Sequence, residues 1–253
     1  MALNKQEALK IVAEVTKTYD KIATHFNQTR RFLWKDFVYF DQFLANSQEI
    51  LDLGCGNGRL VQLFEKYKDI KYLGIDSSKG LIDLAKENYK DKNWVRFENI
   101  DLLEMEKIEG KYDVIFLNAV WQHFPEVLHQ EIVEKIKNLL KPNGLLMMTN
   151  WNLQQKHFLK FWIRFFLDKV KNPSKEVMGV ELKKYSSKDL VITYDNKEGQ
   201  SKLRYLYLFT KGYIKNILEK NNFSILKNEV VKDGKKSLTF FGKNVLTIAK
   251  KND

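Results

Sequence analysis

From residue 49 onward the chain alternates short β-branched or apolar runs with segments of helical spacing. The runs are EILDLG (49–54), KYLGID (71–76), WVRFENI (94–100), YDVIFLN (112–118) and GLLMMTN (144–150), and between them lie RLVQLFEKY, LIDLAKENY and VLHQEIVEKIKNLL. Parallel neighbours need a crossover long enough to carry a helix, and such crossovers cover both faces of a sheet. The alternation therefore restricts the chain to an α/β fold with a mostly parallel sheet. Upstream, Ala8, Ile11, Val12, Val15, Tyr19, Ile22 and Phe26 fall on one face of a helix, and a second amphipathic segment covers about 32–44. After Trp151 the pattern breaks into an aromatic helix (about 154–170) and two strand-like runs, DLVITY and LRYLYLF, around a turn-prone DNKEGQSK. It resumes with the helix KGYIKNILEKNN, a strand near FSILKNEVV, the loop KDGKKS and a last strand, NVLTIAK. This predicts one domain: a helical flap (1–45), a core (46–151), an insertion (152–209) and a closing helix with the last two strands (210–253). Flap and insertion are placed to close over the carboxyl ends of the strands, where open α/β sheets bind ligands.

Composition narrows the functional classes. A 44% hydrophobic share of 253 residues is ample for a core. A lone cysteine, Cys55, excludes an intramolecular disulfide, and with four histidines (His25, His123, His129, His157) it offers no spacing for a structural zinc site, so no metal is expected. A reducing, cytoplasmic setting is the natural expectation. The start MALNKQEALKIV lacks a signal peptide's apolar core, and the most apolar run, 157–170, is cut by Lys160, Arg164 and Asp168, so no membrane span is expected. The net charge of +11 favours an anionic partner such as nucleic acid, with solubility as the plainer reading.

The segment LDLGCGNG (51–58) sits where the first strand turns into its crossover. Glycines there let backbone approach a ligand closely. A dinucleotide loop reads G-x-G-x-x-G, but after Gly54 and Gly56 the third position falls on Arg59, which weakens a nicotinamide reading; the spacing is instead Gly54, Gly56, Gly58. Asp52 precedes the loop, and Asp76 closes the second strand, where a carboxylate suits both hydroxyls of a ribose. Asp101 and Leu102 follow the third strand. Any one of these residues alone more often makes a turn or caps a helix; their joint spacing favours a cofactor. Cys55 reads as loop packing rather than a nucleophile.

This constellation resembles the class I S-adenosylmethionine-dependent methyltransferases over about 49–151. The resemblance implies a Rossmann-like fold with a seven-stranded, mostly parallel sheet, and S-adenosyl-L-methionine as cofactor, released as S-adenosyl-L-homocysteine. It assigns Asp52, Gly54, Cys55, Gly56 and Gly58 to the methionine and its surroundings, Asp76 and Ser77 to the ribose, and Asp101 and Leu102 to the adenine. Asn118 falls at the sulfonium end, and Tyr19 joins from the flap. LKPNG (140–144) matches the turn into strand five.

The flap string, with Tyr19, Ile22-Ala23, His25-Phe26, Thr29-Arg30 and Trp34, resembles more narrowly the tRNA wobble-uridine carboxymethyl methyltransferases. AVWQHF (119–124), Asn150-Trp151 and RYLYLFTKGYIKNIL (204–218) extend the match; Gln122 stands where a His is usual and Asn27 where a Ser is usual. A carboxylate acceptor is already an anion at pH 7 and needs no general base. Arg30, His123 and Arg204 are candidates to hold one oxygen while the other attacks, with Trp151, Trp34 or Trp121 stacking on an unpaired base. His25 and Thr29 are further substrate-side candidates. Competing readings stay open: Trp34 and Trp121 as core, His25 as orienting the flap through a hydrogen bond, Arg204 as a hairpin-face charge. In the insertion, Lys156, Lys160 and Arg164 form a basic stripe opposite Phe158, Phe161, Trp162, Phe165 and Phe166; it suits a tRNA backbone, a membrane surface, or a lid helix packed on its own domain. The resemblance also implies a small zinc-binding activator pairing with the edge strand at 94–99, against a monomer whose edge is guarded by Lys92, Arg96 and Glu98. A small-molecule methyltransferase and a non-catalytic RNA-binding protein of this fold are the alternatives.

Overall fold

The computed structural model describes residues 2–195 and 201–253. Five parallel strands form the heart of the sheet: β1 (Glu49–Leu53), β2 (Lys71–Ile75), β3 (Val95–Glu98), β4 (Tyr112–Asn118) and β5 (Leu140–Trp151). The insertion contributes the short pair β6 (Glu176–Val177) and β7 (Val180–Glu181) and the hairpin β8 (Asp189–Asp195) and β9 (Ser201–Tyr207). The chain returns through β10 (Phe223–Lys232), β11 (Lys235–Lys236) and β12 (Asn244–Lys251). Sheet order is β11-β10-β12-β5-β4-β1-β2-β3, with β12 antiparallel to both neighbours. The expected seven strands are all present, and an eighth, two-residue strand is added where part of KDGKKS folds back on β10. The order reverses between β1 and β4, so a crevice opens beyond their carboxyl ends.

Helices follow the apolar spacing with three departures. In the flap, α1 (Lys5–Lys21) starts at a capping box between Asn4 and Glu7 and ends at Ile22, where the backbone leaves helical geometry before α2 (Ala23–Thr29). The 32–44 segment shortens to a 3₁₀ turn, Lys35–Phe37, and one helical turn, α3 (Val38–Asp41), because burying Phe37 and Phe40 suffices while Phe32 stays 83% exposed. The first crossover, expected to be helical, is a 3₁₀ segment, Arg59–Leu63: Leu60, Val61, Leu63 and Phe64 are all buried within that short stretch, so no longer helix is needed to cover the sheet. The other crossovers are α4 (Lys79–Asn88), capped by Ser78, and α5 (His129–Leu139). In the insertion the aromatic helix is α6 (Leu159–Lys171), preceded by a 3₁₀ turn, Lys156–Phe158. Its Phe161, Trp162 and Phe165 pack on Leu153, Leu190 and Leu206, as a lid would, but Phe166 is exposed rather than packed. The last helix is α7 (Lys211–Lys220). Residues 196–200 of DNKEGQSK lie outside the described residues, while the strands flanking them pair as expected of a hairpin. Among the described residues no helix is long and apolar enough to cross a membrane.

Apolar packing and side-chain hydrogen bonds hold the flap over the crevice. Along α1, Ala8, Ile11, Val12 and Val15 are buried in the larger core cluster, and Thr18 Oγ1 donates to the Leu203 carbonyl of β9 at 3.0 Å. At its end, Asp20 Oδ1 accepts from Ser78 Oγ at 2.6 Å and from Gly80 N at 3.2 Å, which ties the flap to the first turn of α4, where a carboxylate is electrostatically favoured.

Candidate functional site

The glycine loop is bent by three left-handed residues, Gly54 (φ 72°), Gly56 (φ 57°) and Gly58 (φ 77°). Gly54 and Cys55 both donate their N–H to the Ile75 carbonyl, at 2.8 and 2.9 Å, which draws the loop against the end of β2. There the Asp76 carboxylate accepts from Gly56 N through one oxygen and from Ser78 N through the other, each at 2.9 Å. Asp76 thus fixes the loop and keeps lone pairs on both oxygens for a ligand. Asp52 accepts from Tyr72 Oη at 2.6 Å deep in the same wall. Burial raises both carboxyls, Asp52 to about 7 and Asp76 to about 6.

These carboxyls give the fold a pH signature. An unfolded Asp titrates near 3.8, so between that value and about 7 the folded chain holds a proton on Asp52 that the unfolded chain releases. Stability contributed here therefore falls as pH rises through that window. Thermal melts of wild type and Asp52→Asn from pH 5 to 8 are expected to show wild type losing ground to the variant as pH rises, by a few kcal/mol, since each pKa unit is worth about 1.4 kcal/mol. Parallel curves refute the buried, ionising Asp52.

A single pocket brings most sequence candidates together: Tyr19, Arg30, Trp34, Asp52, Gly54, Cys55, Gly56, Asp76, Ser77, Asp101, Leu102, Asn118, His123, Trp151 and Arg204 all line it. Gly58 lies behind the lining, where a Cβ would strike Phe97 Cζ at 2.6 Å. Cys55 is buried with its thiol pushed well above the ordinary range by burial, which makes it wall rather than nucleophile. Asp101 caps the 3₁₀ segment Leu102–Lys107 by accepting from Leu103 N at 2.8 Å. Asn118 Nδ2 is buried at the pocket without a hydrogen-bond partner.

The substrate side departs from expectation at several residues. His123 is 6% exposed, with Nδ1 2.9 Å from the Tyr205 carbonyl and Nε2 2.9 Å from Tyr19 Oη. A carbonyl only accepts, so Nδ1 carries the proton and Nε2 accepts from Tyr19; burial lowers the ring to about 4 and keeps it neutral. His123 therefore cannot donate to an acceptor's oxygen as expected. Trp121 is 1% exposed, its ring tilted against Phe209 with centroids 4.6 Å apart, and is core rather than a base platform. Arg204 is no hairpin-face charge: it is 4% exposed, with its guanidinium 5.0 Å from the Tyr19 ring centroid. His25 and Thr29 lie outside the pocket lining, and Thr29 instead steadies Arg30, its Oγ1 accepting from Arg30 Nη1 at 3.2 Å.

The two departures from the family string, Asn27 and Gln122, make contacts around the pocket that the sequence did not indicate. Asn57 Nδ2 donates to Asn27 Oδ1 at 2.8 Å and Asn88 Nδ2 to the same oxygen at 3.2 Å, so the residue standing in place of the usual Ser clips the flap to the glycine loop and α4. Gln122, in place of His, is fully buried and bridges the Ala119 carbonyl and Trp151 N, holding the Trp151 backbone beside the pocket. Ala119 takes a left-handed φ of 56° directly after Asn118, a conformation costing roughly 1–2 kcal/mol.

The profile of a methyltransferase domain family matches residues 44–222. The chain is 28% identical over 158 residues to the tRNA (carboxymethyluridine(34)-5-O)-methyltransferase ALKBH8 of Mus musculus; the match takes in 61% of this chain and 22% of that protein, so the chain spans about a fifth of that relative's length. It is 26% identical over 216 residues to the phosphoethanolamine N-methyltransferase of Plasmodium falciparum, covering 81% of this chain and 80% of that one. Among solved structures, a complex between the Haloferax volcanii Trm112 methyltransferase activator and a methyltransferase superposes with TM-score 0.64 at 12% identity, over 94% of this chain and 98% of the matched chain. With most of its length inside the family profile and the strand order that surrounds the glycine loop, the chain belongs to the methyltransferase domain family and has the class I S-adenosylmethionine-dependent methyltransferase fold.

Proposed function

We propose that the chain methylates the carboxylate of a 5-carboxymethyluridine at the wobble position of tRNA, using S-adenosyl-L-methionine. The carrying observation is the placing of Arg30 and the buried Arg204 in the pocket that holds the glycine loop, beside Trp34 and Trp151. When bound, the cofactor supplies a methyl group on a positively charged sulfur. The residues present fit it: Asp76 has acceptor capacity for two hydroxyls, the glycine loop admits close backbone approach, and Asn118 Nδ2 is a donor still lacking an acceptor.

In this reading the protein's work is orientation and desolvation. A guanidinium fork holds one carboxylate oxygen through paired N–H donors, and the other oxygen is left to attack. No proton moves, because an anion becomes a neutral ester; the locked neutral state of His123 is compatible with that. Its part is to fix Tyr19, which in turn lies under Arg204. Trp151, half-buried at the pocket, is the proposed platform for the uracil, while Trp34 lies against the Arg59 guanidinium. The domain boundaries at 45, 151 and 209 form part of the same proposal, with flap and insertion as the substrate-side covers.

β3 is one edge of the sheet, and it is the strand on which the small zinc-binding activator is proposed to dock. Phe97 faces the core there, and Trp94 is half-buried beside Lys92, 5.8 Å from its ring.

The test is incubation of the purified chain, alone and with its co-purifying proteins, with S-adenosylmethionine and tRNA carrying 5-carboxymethyluridine. Nucleoside mass spectrometry is expected to find the methyl ester, lost on mild alkali. No methyl gain in either sample sinks the tRNA reading, and full turnover by a monodisperse monomer removes the activator. A second reading, a small acceptor that must lose a proton, is favoured by the Tyr19–His123–Tyr205 chain, because the His123 tautomer fixed by the Tyr205 carbonyl leaves Nε2 to take a proton relayed through the Tyr19 hydroxyl.

A further inference from the structure

Arg59 follows the third glycine of the loop, and nothing in its sequence position marks it as a ligand contact. In the structure its guanidinium lies 4.2 Å from the centroid of the Trp34 ring and lines the pocket. Its Nη1 is buried with no hydrogen-bond partner. The neighbouring charges do not satisfy it. Burial, then the like charge of Arg30, hold Arg59 down to about 10, and the opposing carboxyl, Asp52, already takes the Tyr72 hydroxyl and is itself driven toward neutrality. A buried planar donor beside a second guanidinium, with its bond unmade, is a site built for an anion. A carboxylate matches the fork in shape, and the Trp34 face holds the fork flat.

We propose that Arg59, pinned on Trp34 and backed by Arg30, binds a carboxylate inside the pocket. Two ligands of the methyltransferase reading carry that group, the amino-acid end of the cofactor and the acceptor, and the inference rests on that reading for their identity.

The experiment is calorimetry on the full chain and on Arg59→Met with four probes. S-adenosylhomocysteine carries the amino-acid carboxylate and 5′-methylthioadenosine lacks it; 5-carboxymethyluridine carries the acceptor carboxylate and its methyl ester masks it, both added to S-adenosylhomocysteine-saturated protein. Loss of a charged hydrogen-bond pair is expected to weaken the affected carboxylate about tenfold or more and to leave its uncharged counterpart unchanged. Weakening of S-adenosylhomocysteine alone assigns the cofactor's carboxylate, and weakening of 5-carboxymethyluridine alone assigns the acceptor's. No change with any probe, or equal loss of S-adenosylhomocysteine and methylthioadenosine, overturns the proposal. Trp34→Leu, which leaves the charge and removes its platform, is expected to weaken the same probe by a smaller factor and serves if Arg59→Met fails to fold. If wild type binds S-adenosylhomocysteine but not the free nucleoside, the S-adenosylhomocysteine comparison alone decides for or against Arg59, and the tRNA reading is decided separately by methyl-ester formation on tRNA.

Discussion

Arg30→Ala is expected to lower kcat/KM for carboxymethylated tRNA by roughly two orders of magnitude or more, the scale set by misplacing a reacting group by about an ångström. Affinity for S-adenosylhomocysteine is expected to stay within about twofold. The residue ends α2, and its Nη1 is held by the Thr29 carbonyl at 3.4 Å and the Thr29 hydroxyl at 3.2 Å, leaving the rest of the guanidinium toward the pocket. Thr29 in turn donates to the His25 carbonyl at 2.9 Å, so the Thr-Arg pair of the flap string is one unit in which the hydroxyl aims the fork. Arg30→Lys keeps the charge and loses the planar pair of donors, so it is expected to recover only part of the rate. Single-turnover assays with saturating cofactor check both variants. Full activity in Arg30→Ala makes the residue structural and removes the main support for a carboxylate acceptor.

Elements with a strong local signal were legible in the sequence. YDVIFLN is β4 residue for residue, because the four central residues of a strand buried on both faces, Val114 to Leu117, form an apolar run. The glycines at 54, 56 and 58 were legible because the loop's left-handed conformation demands glycine, and Asp76 was legible as the residue that follows β2. What stayed hidden depends on contacts between distant segments. Nothing local says that Asn27 meets Asn57 and Asn88, or that β9 brings Arg204 over the Tyr19 ring. The histidine assignment failed for the same reason: the Tyr205 carbonyl that fixes the proton of His123 lies 82 residues downstream. Arg59 was passed over because the spacing test used it only to reject a dinucleotide loop, whereas its meaning comes from Trp34 in the flap. A short crossover was unreadable because four apolar residues fit a helix or a 3₁₀ turn equally well.

Gly54→Ala is expected to be the most damaging small substitution in the loop, with a loss of about 3 kcal/mol of stability. Two separable effects contribute. At φ 72° an alanine sits in left-handed geometry, which costs roughly 1–2 kcal/mol. Its Cβ would also lie 2.4 Å from Val120 Cγ2 and 2.9 Å from Val120 Cγ1, far inside contact distance, and overpacking of that kind costs typically about 1–3 kcal/mol. Val120 is β-branched and cannot swing its methyls away without a new χ1. It also follows Ala119, already left-handed, so the strain falls on the turn between Asn118 and His123 and is expected to reduce S-adenosylhomocysteine affinity as well. Gly110 supplies the comparison, since at φ 89° it has nothing within 4 Å of an added Cβ. Gly110→Ala therefore carries the backbone cost alone, and the difference between the two variants in urea unfolding measures the collision with Val120. Equal losses in the two would mean that Val120 yields freely, and that glycine is required at position 54 by its backbone angle and not by close packing under the pocket.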